Sequence, residues 1–348
     1  MRTKKKHPIR TAGLILLALM LLCALFIIGL HVYDQVMLKK EAALLCPQGQ
    51  RVEVDGREME VYTEGDGDTV LVFMAGANTP AVTLDFRPLY RQLTDTYQIV
   101  VLEKFGYGYS DDIEGERDLD TLLRQDREAL QKAGIKAPYV LCPHSASGLE
   151  AIRWAQQYPE EVEAIVGLDM AVPEQYDLMV GDLDDVVPQT YEAVLEEDEF
   201  YNFWMYDMGG YRLYPIASVF PAAASDRLTK EERAEYRAIT YHWYSQFYKT
   251  AMFREGLATA RQIEALGALR EAAVPDVPTL QFLSDDAAMF AAMLGEDGLD
   301  KWVQIHERYI DGLTDARIVR LACGHYVHAE APDEISTEIR DFLDSLEG

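Results

Sequence analysis

Cysteine is scarce in this chain: four among 348 residues, at positions 23, 46, 142 and 323. Their spacing suggests no disulfide framework, so free thiols are expected and the compartment cannot be read from them. Basic residues are also outnumbered, 32 Lys and Arg against 59 Asp and Glu, for a formal net charge of −27. An acidic surface repels phosphate, which argues against nucleic acid as a partner and disfavours adsorption to anionic lipid headgroups. Internal repeats are missing. The zincin pattern is missing too, and His325 and His328 have no third ligand cluster beside them, so no metal is expected. The pair Gly106-x-Gly108 lacks the third glycine and the following ribose-binding acid of a dinucleotide site. No cofactor is expected.

What the chain does have is one long apolar run. Ala12 through Leu30 carries no charge, and about 20 such residues match the hydrocarbon thickness of a bilayer. Arg2, Lys4, Lys5, Lys6 and Arg10 precede it, so the positive-inside rule leaves the N-terminus in the cytoplasm and the remainder outside. The expected organisation is a cytoplasmic basic segment over 1–11, a transmembrane anchor over 12–31 and a stalk over 32–50. A cleaved signal peptide is the alternative, but its apolar core is usually shorter and no A-x-A-like site stands near His31 to Lys40. The length beyond the anchor suits one large α/β domain with an insertion.

The most informative local feature is Pro143-His144-Ser145-Ala146-Ser147-Gly148. It follows the apolar run Tyr139-Val140-Leu141-Cys142 and opens a helical pattern from Leu149 to Tyr158. A serine in a tight turn between strand and helix has the geometry of a nucleophile elbow, with its oxygen exposed and the next N–H aimed at the same place. The usual spelling is G-x-S-x-G, whereas here Pro143 and Ser147 take the flanking positions and the glycine comes one residue late. An ordinary turn with Ser145 as a helix cap is the competing reading.

A second signal lies near the other end. After the strand-like 316–321 comes Cys323-Gly324-His325-Tyr326-Val327-His328-Ala329-Glu330-Ala331-Pro332, then a helical pattern from Asp333 to Leu346. Here the chain resembles the α/β-hydrolase fold family, whose last strand ends in a loop reading G-H, a few residues, E-x-P and a closing helix. The resemblance extends over roughly residues 52 to 346. It includes an alternating hairpin around Asp55-Gly56, the buried-strand run 69–74 ending in Ala75-Gly76-Ala77-Asn78, and Glu103-Lys104-Phe105-Gly106-Tyr107-Gly108-Tyr109-Ser110. It implies a mostly parallel central sheet of about eight strands flanked by helices, with a core in two parts, 51–172 and 275–348, and a helical cap over 173–274. It also implies that His325 is the general base and that the N–H groups of Ala146 and Ala77 form the oxyanion hole. The family commonly has histidine where Ala75 stands, although backbone donors do not depend on side-chain identity.

A serine and histidine need a carboxylate to hold the imidazole tautomer. The strand 162–168 ends at Asp169, and the strand 279–283 is followed by Ser284-Asp285-Asp286. Most of the family places the acid after the later strand, but the expected position there falls on Ala287. Some members place it after the earlier one, where Asp169 aligns without a gap. Asp169 is therefore favoured, with Asp285 and Asp286 as alternatives.

The expected function is that of a membrane-anchored serine hydrolase acting on a small uncharged or hydrophobic ester or amide through an acyl-enzyme. Aromatic stretches 200–206 and 241–248 are candidate lining of an apolar pocket, or ordinary packing. Glu196-Glu197-Asp198-Glu199 raises a proline-iminopeptidase-like aminopeptidase as an alternative, against a plain solvated acidic face. A non-catalytic binding or signalling module remains a third possibility, and the oligomeric state is unknown.

Overall fold

The computed structural model describes residues 8–115, 117–175, 199–247, 250–255 and 269–346. Helix α1, Pro8–Glu41, contains the apolar run and continues past it for three further turns. Its segment 11–29 is exposed apart from Ile27, which is half-buried, and then Leu30, Asp34 and Glu41 are buried. Residues at this spacing share one helical face, so the last third of α1 lies against the folded domain instead of forming a free stalk.

Strands β1 (Gln50–Val54) and β2 (Arg57–Glu64) form the expected hairpin, with Val54 opposite Arg57. Asp55 and Gly56 both take positive φ, 50° and 73°, as a two-residue primed turn requires. Then follow β3 (Val70–Met74), α2 (Val82–Tyr90), β4 (Gln98–Glu103), α3 (Leu119–Ala133), β5 (Tyr139–Pro143), α4 (Ser147–Gln157) and β6 (Val162–Leu168). An insertion leads to α5 (Lys230–Tyr244), and the chain returns through β7 (Thr279–Ser284), α6 (Ala287–Leu294), α7 (Gly298–Ile310), β8 (Ala316–Leu321) and α8 (Pro332–Leu346).

The eight strands make one sheet in the order β1-β2-β4-β3-β5-β6-β7-β8. Pairs involving β2 are antiparallel and the rest are parallel. Every residue of β3, β5 and β7 is buried, as befits parallel strands covered by helices on both faces. This is the architecture the sequence implied. Ligand chemistry in such sheets gathers at the carboxyl ends of the parallel strands, which is where Ala75, Ser145, Asp169 and Asp285 all emerge.

In the insertion, Tyr206 lies 5.0 Å from Phe247 and Tyr211 stacks at 5.5 Å on Tyr244, measured between ring centroids. These aromatics pack on one another. The Glu196-Glu197-Asp198 stretch and Tyr248 lie outside the described residues, and Glu199 is exposed.

Candidate active site

Ser145 stands in the turn between β5 and α4 with φ of 53°, one of four non-glycine residues at positive φ among those described. Such a conformation costs free energy and persists where the surrounding structure enforces it. Here the enforcement comes from both sides. Ser147 Oγ donates to Met74 O at 2.7 Å and to His144 O at 2.8 Å, and Ala171 N donates to Ser145 O at 2.7 Å. A Cβ on Gly148 would fall 2.2 Å from Ala171 O. The glycine that comes one residue late therefore serves the close approach of helix to strand, while Ser147, fully buried, ties the turn to β3.

The His325 Nδ1–H donates to Asp169 Oδ2 at 2.6 Å. Asp169 follows β6, has φ of 47° and is fully buried. Its other oxygen accepts from Ser284 N and from Trp302 Nε1, each at 3.1 Å. Three donors thus converge on one carboxylate, and its orientation is set by β7 and α7. The two alternative acids are engaged elsewhere. Asp285 pairs with Arg320 at the surface, and Asp286 caps α6 by accepting from Ala288 N and Met289 N, both at 3.0 Å.

His325 reaches the serine loop through His144. The two rings lie 4.6 Å apart, and His144 Nε2 donates to His325 O at 3.1 Å. Because a carbonyl can only accept, Nε2 carries the proton. Burial drives the His144 imidazole well below its ordinary pKa, with His325 and His328 adding to the effect, so it stays neutral. Among the described residues, Ser145 Oγ and His325 Nε2 make no hydrogen bond to each other or to anything else. Both residues are half-buried. Hydrogen bonds of this kind are often long without substrate and tighten in the complex.

Gly76 follows β3 and sits against the serine: a Cβ there would fall 2.7 Å from Ser145 Cβ. Ala77 comes next. Among the described residues the N–H groups of Ala77 and Ala146 have no acceptor, which leaves two backbone donors beside Ser145.

Two features were not read from the sequence. Beneath α4, Lys104 Nζ donates to Glu150 at 2.7 Å and to Glu255 at 2.6 Å, all three buried. This pins the first turn of the helix that follows Ser145. Three residues after His325, His328 Nε2 donates to Asp85 at 2.7 Å, and Asp85 also accepts from Tyr236 OH at 2.6 Å. The spacing of His325 and His328 was visible in the sequence, but a partner on α2 was not. The Gly106–Gly108 turn is structural, with Tyr109 N donating to Glu103 at 2.6 Å. Burial raises the Glu103 carboxyl to about 7.

No family profile matches the chain. It is 36% identical over 244 residues to the uncharacterized protein YbdG of Bacillus subtilis, covering 70% of this chain and 71% of that one. It is 22% identical over 305 residues to a cis-3-alkyl-4-alkyloxetan-2-one decarboxylase of Shewanella oneidensis, covering 84% and 87%. Among solved structures it resembles the Bacillus megaterium epoxide hydrolase, with a TM-score of 0.60 at 17% identity, covering 85% of this chain and all of that one.

Proposed function

The chain belongs to the α/β-hydrolase fold family, and from that premise we propose that it is a membrane-anchored serine hydrolase cleaving an ester or amide through an acyl-enzyme. The observation that carries the reading is the 2.6 Å bond from His325 Nδ1 to a buried, doubly braced Asp169, with the His325 ring 4.6 Å from that of His144, the residue before a serine held at positive φ.

In this mechanism Ser145 Oγ attacks the substrate carbonyl while His325 Nε2 takes its proton. The Nδ1–H bond to Asp169 keeps Nε2 unprotonated before attack and stabilises the imidazolium afterwards. The N–H groups of Ala146 and Ala77 receive the developing oxyanion, a donor of this kind contributing about 3 kcal/mol in the transition state. His325 then hands its proton to the leaving group, and water, deprotonated by the same nitrogen, releases the acid and restores Ser145.

The relatives carry several chemistries on this fold, and the residue at the turn discriminates among them. A carboxylate there would form an ester with an epoxide carbon; a serine forms one with an acyl group. The insertion between β6 and β7 serves as the cap, and α1 as the anchor, with the catalytic domain on the extracytoplasmic side. Of the acidic stretch only Glu199 lies among the described residues, and it is exposed.

Stopped-flow hydrolysis of p-nitrophenyl esters of graded chain length, with proline arylamides alongside, tests the proposal. A burst of p-nitrophenolate equal to the enzyme concentration and lost in Ser145→Ala is the expected result. A folded wild type with neither burst nor turnover on any substrate turns the protein into a non-catalytic module.

A further inference from the structure

The segment of the insertion that grips α1 is also the one that exposes the largest apolar side chains of the folded domain. His31 Nδ1 bonds Asp207 O at 2.9 Å. Three residues later, buried Asp34 accepts from Tyr211 OH at 2.5 Å and from Arg212 Nε at 2.7 Å. Arg212 then clasps Glu41 with two bonds of 2.7 and 2.8 Å. Side chains of the residues flanking these contacts point to solvent: Phe200 is 82% exposed, Tyr201 50%, Phe203 46%, Leu213 53% and Tyr214 58%.

Depth follows from length. The uncharged run Ala12–Leu30 is about 28 Å long at 1.5 Å per residue, against about 30 Å of hydrocarbon. The stretch without charged residues ends at Tyr33, before Asp34, so residues 30 to 34 lie at the edge of the hydrocarbon. Leu30 is nevertheless only 8% exposed, because the folded domain already covers it. The protein surface touching α1 at residues 30 to 34 therefore sits at the level of the headgroups, held there by a buried ion-pair cluster that permits no free stalk.

We propose that the exposed face formed by residues 200–203 and 213–214 is seated in the lipid interface of the membrane that α1 spans. The occupant is a bilayer because the face flanks Asp207, Tyr211 and Arg212, which bond α1 just past its exposed apolar segment. Its tyrosines and phenylalanines are the residue types that occupy the boundary between headgroups and acyl chains. The formal charge of −27 opposes attraction to anionic lipid, so the attraction is apolar and operates on zwitterionic phosphatidylcholine. This inference rests on the anchor reading of α1 and is independent of catalysis.

The test uses the full chain in phosphatidylcholine nanodiscs. The accessible cysteines 23, 46 and 323 are replaced, and buried Cys142 is kept. An environment-sensitive NBD label is then placed singly by Phe200→Cys or Phe203→Cys, by Glu307→Cys on α7 as control, or at a restored Cys23. Lipid carrying a doxyl nitroxide near the headgroup is expected to quench the labels at 200 and 203 at least about twofold more than the control. Doxyl lipid labelled near the chain end is expected to quench the label at 23. Quenching at 23, with 200 and 203 equal to the control, overturns the interface proposal and leaves the anchor standing. A label at 200 or 203 that is blue-shifted but unquenched means that a second copy covers the face, which also overturns it. A label at 23 that no lipid quenches removes the anchor and the proposal together.

Discussion

Two imidazole–carboxylate pairs start three residues apart, His325 in the loop after β8 and His328 in the short helix Val327–Glu330, and end in different places. His325 pairs with Asp169 through Nδ1, and its side chain is 31% exposed. His328 pairs with Asp85 through Nε2, and both side chains are fully buried. The bond lengths are nearly equal, 2.6 and 2.7 Å. What separates the pairs is the other ring nitrogen. In His325 it lies on a half-exposed ring packed on His144, the neighbour of the strained Ser145. In His328 it is Nδ1, buried with no hydrogen-bond partner, in contact with Phe86 at 4.6 Å and with His144 at 4.7 Å between centroids. In the proposed mechanism, catalysis depends less on owning such a pair than on leaving one nitrogen accessible. The buried pair holds α2, α5 and that short helix together.

Substitutions can break this contrast at several strengths. Ser145→Ala is expected to lower kcat for an ester by about a million-fold, with the far-ultraviolet circular dichroism spectrum unchanged. Asp169→Asn should cost about four orders of magnitude in kcat, because the amide no longer enforces the Nδ1–H tautomer. If Asp85→Asn produced that loss instead, the roles of the two pairs would be reversed.

Asp85→Ala, by contrast, acts on stability. It strands His328 and Tyr236 in the core, and leaving a buried donor unsatisfied costs about 1 to 3 kcal/mol, read as a lowered denaturation midpoint. The kcat of the molecules that remain folded should change by no more than a few fold.

A milder test uses His306, which lies 4.5 Å from the Trp302 ring that braces Asp169 and bonds Gln281 at 2.7 Å. Burial lowers its pKa from 6.5 to about 4, with Asp169 acting weakly the other way. Below pH 6.5 the unfolded chain therefore binds a proton that the folded chain refuses. Stability contributed by the neutral ring is complete above pH 6.5 and is lost as pH falls toward 4, at up to about 1.4 kcal/mol per pH unit. Urea titrations across that window should show a shallower pH slope in His306→Gln than in the wild type.

The smallest effect is expected from Asp285→Asn. Its ion pair with Arg320 is solvent-exposed, so stability should fall by about 1 kcal/mol or less in thermal unfolding, with turnover intact.

Much of this was legible in the sequence because it is encoded locally. Alternation around Asp55-Gly56 marks a hairpin, solid apolar runs mark strands covered on both faces, and a serine between strand and helix marks a tight turn. The candidate acid could be narrowed to Asp169, Asp285 and Asp286 because carboxylates at strand ends are few. Which of them pairs with His325 depends on how β7 and α7 pack, and that is a tertiary fact. The displaced glycine was ambiguous for the same reason: that Gly148 meets Ala171 depends on a loop some twenty residues later, visible only once β6 is docked. Asp85 gave no signal at all, its partner His328 lying 243 residues away. The continuation of α1 to Glu41 was hidden as well, because charged residues such as Asp34 and Glu41 read as the start of a stalk until Arg212 is seen to bury them.

The most direct measurement is peptide mapping after reaction with a fluorophosphonate, which captures only an activated hydroxyl. A single adduct on Ser145, formed rapidly in the wild type and in Asp85→Asn but orders of magnitude more slowly in Asp169→Asn, is the predicted result. A folded wild type that stays unlabelled, or an adduct on another residue, contradicts the account.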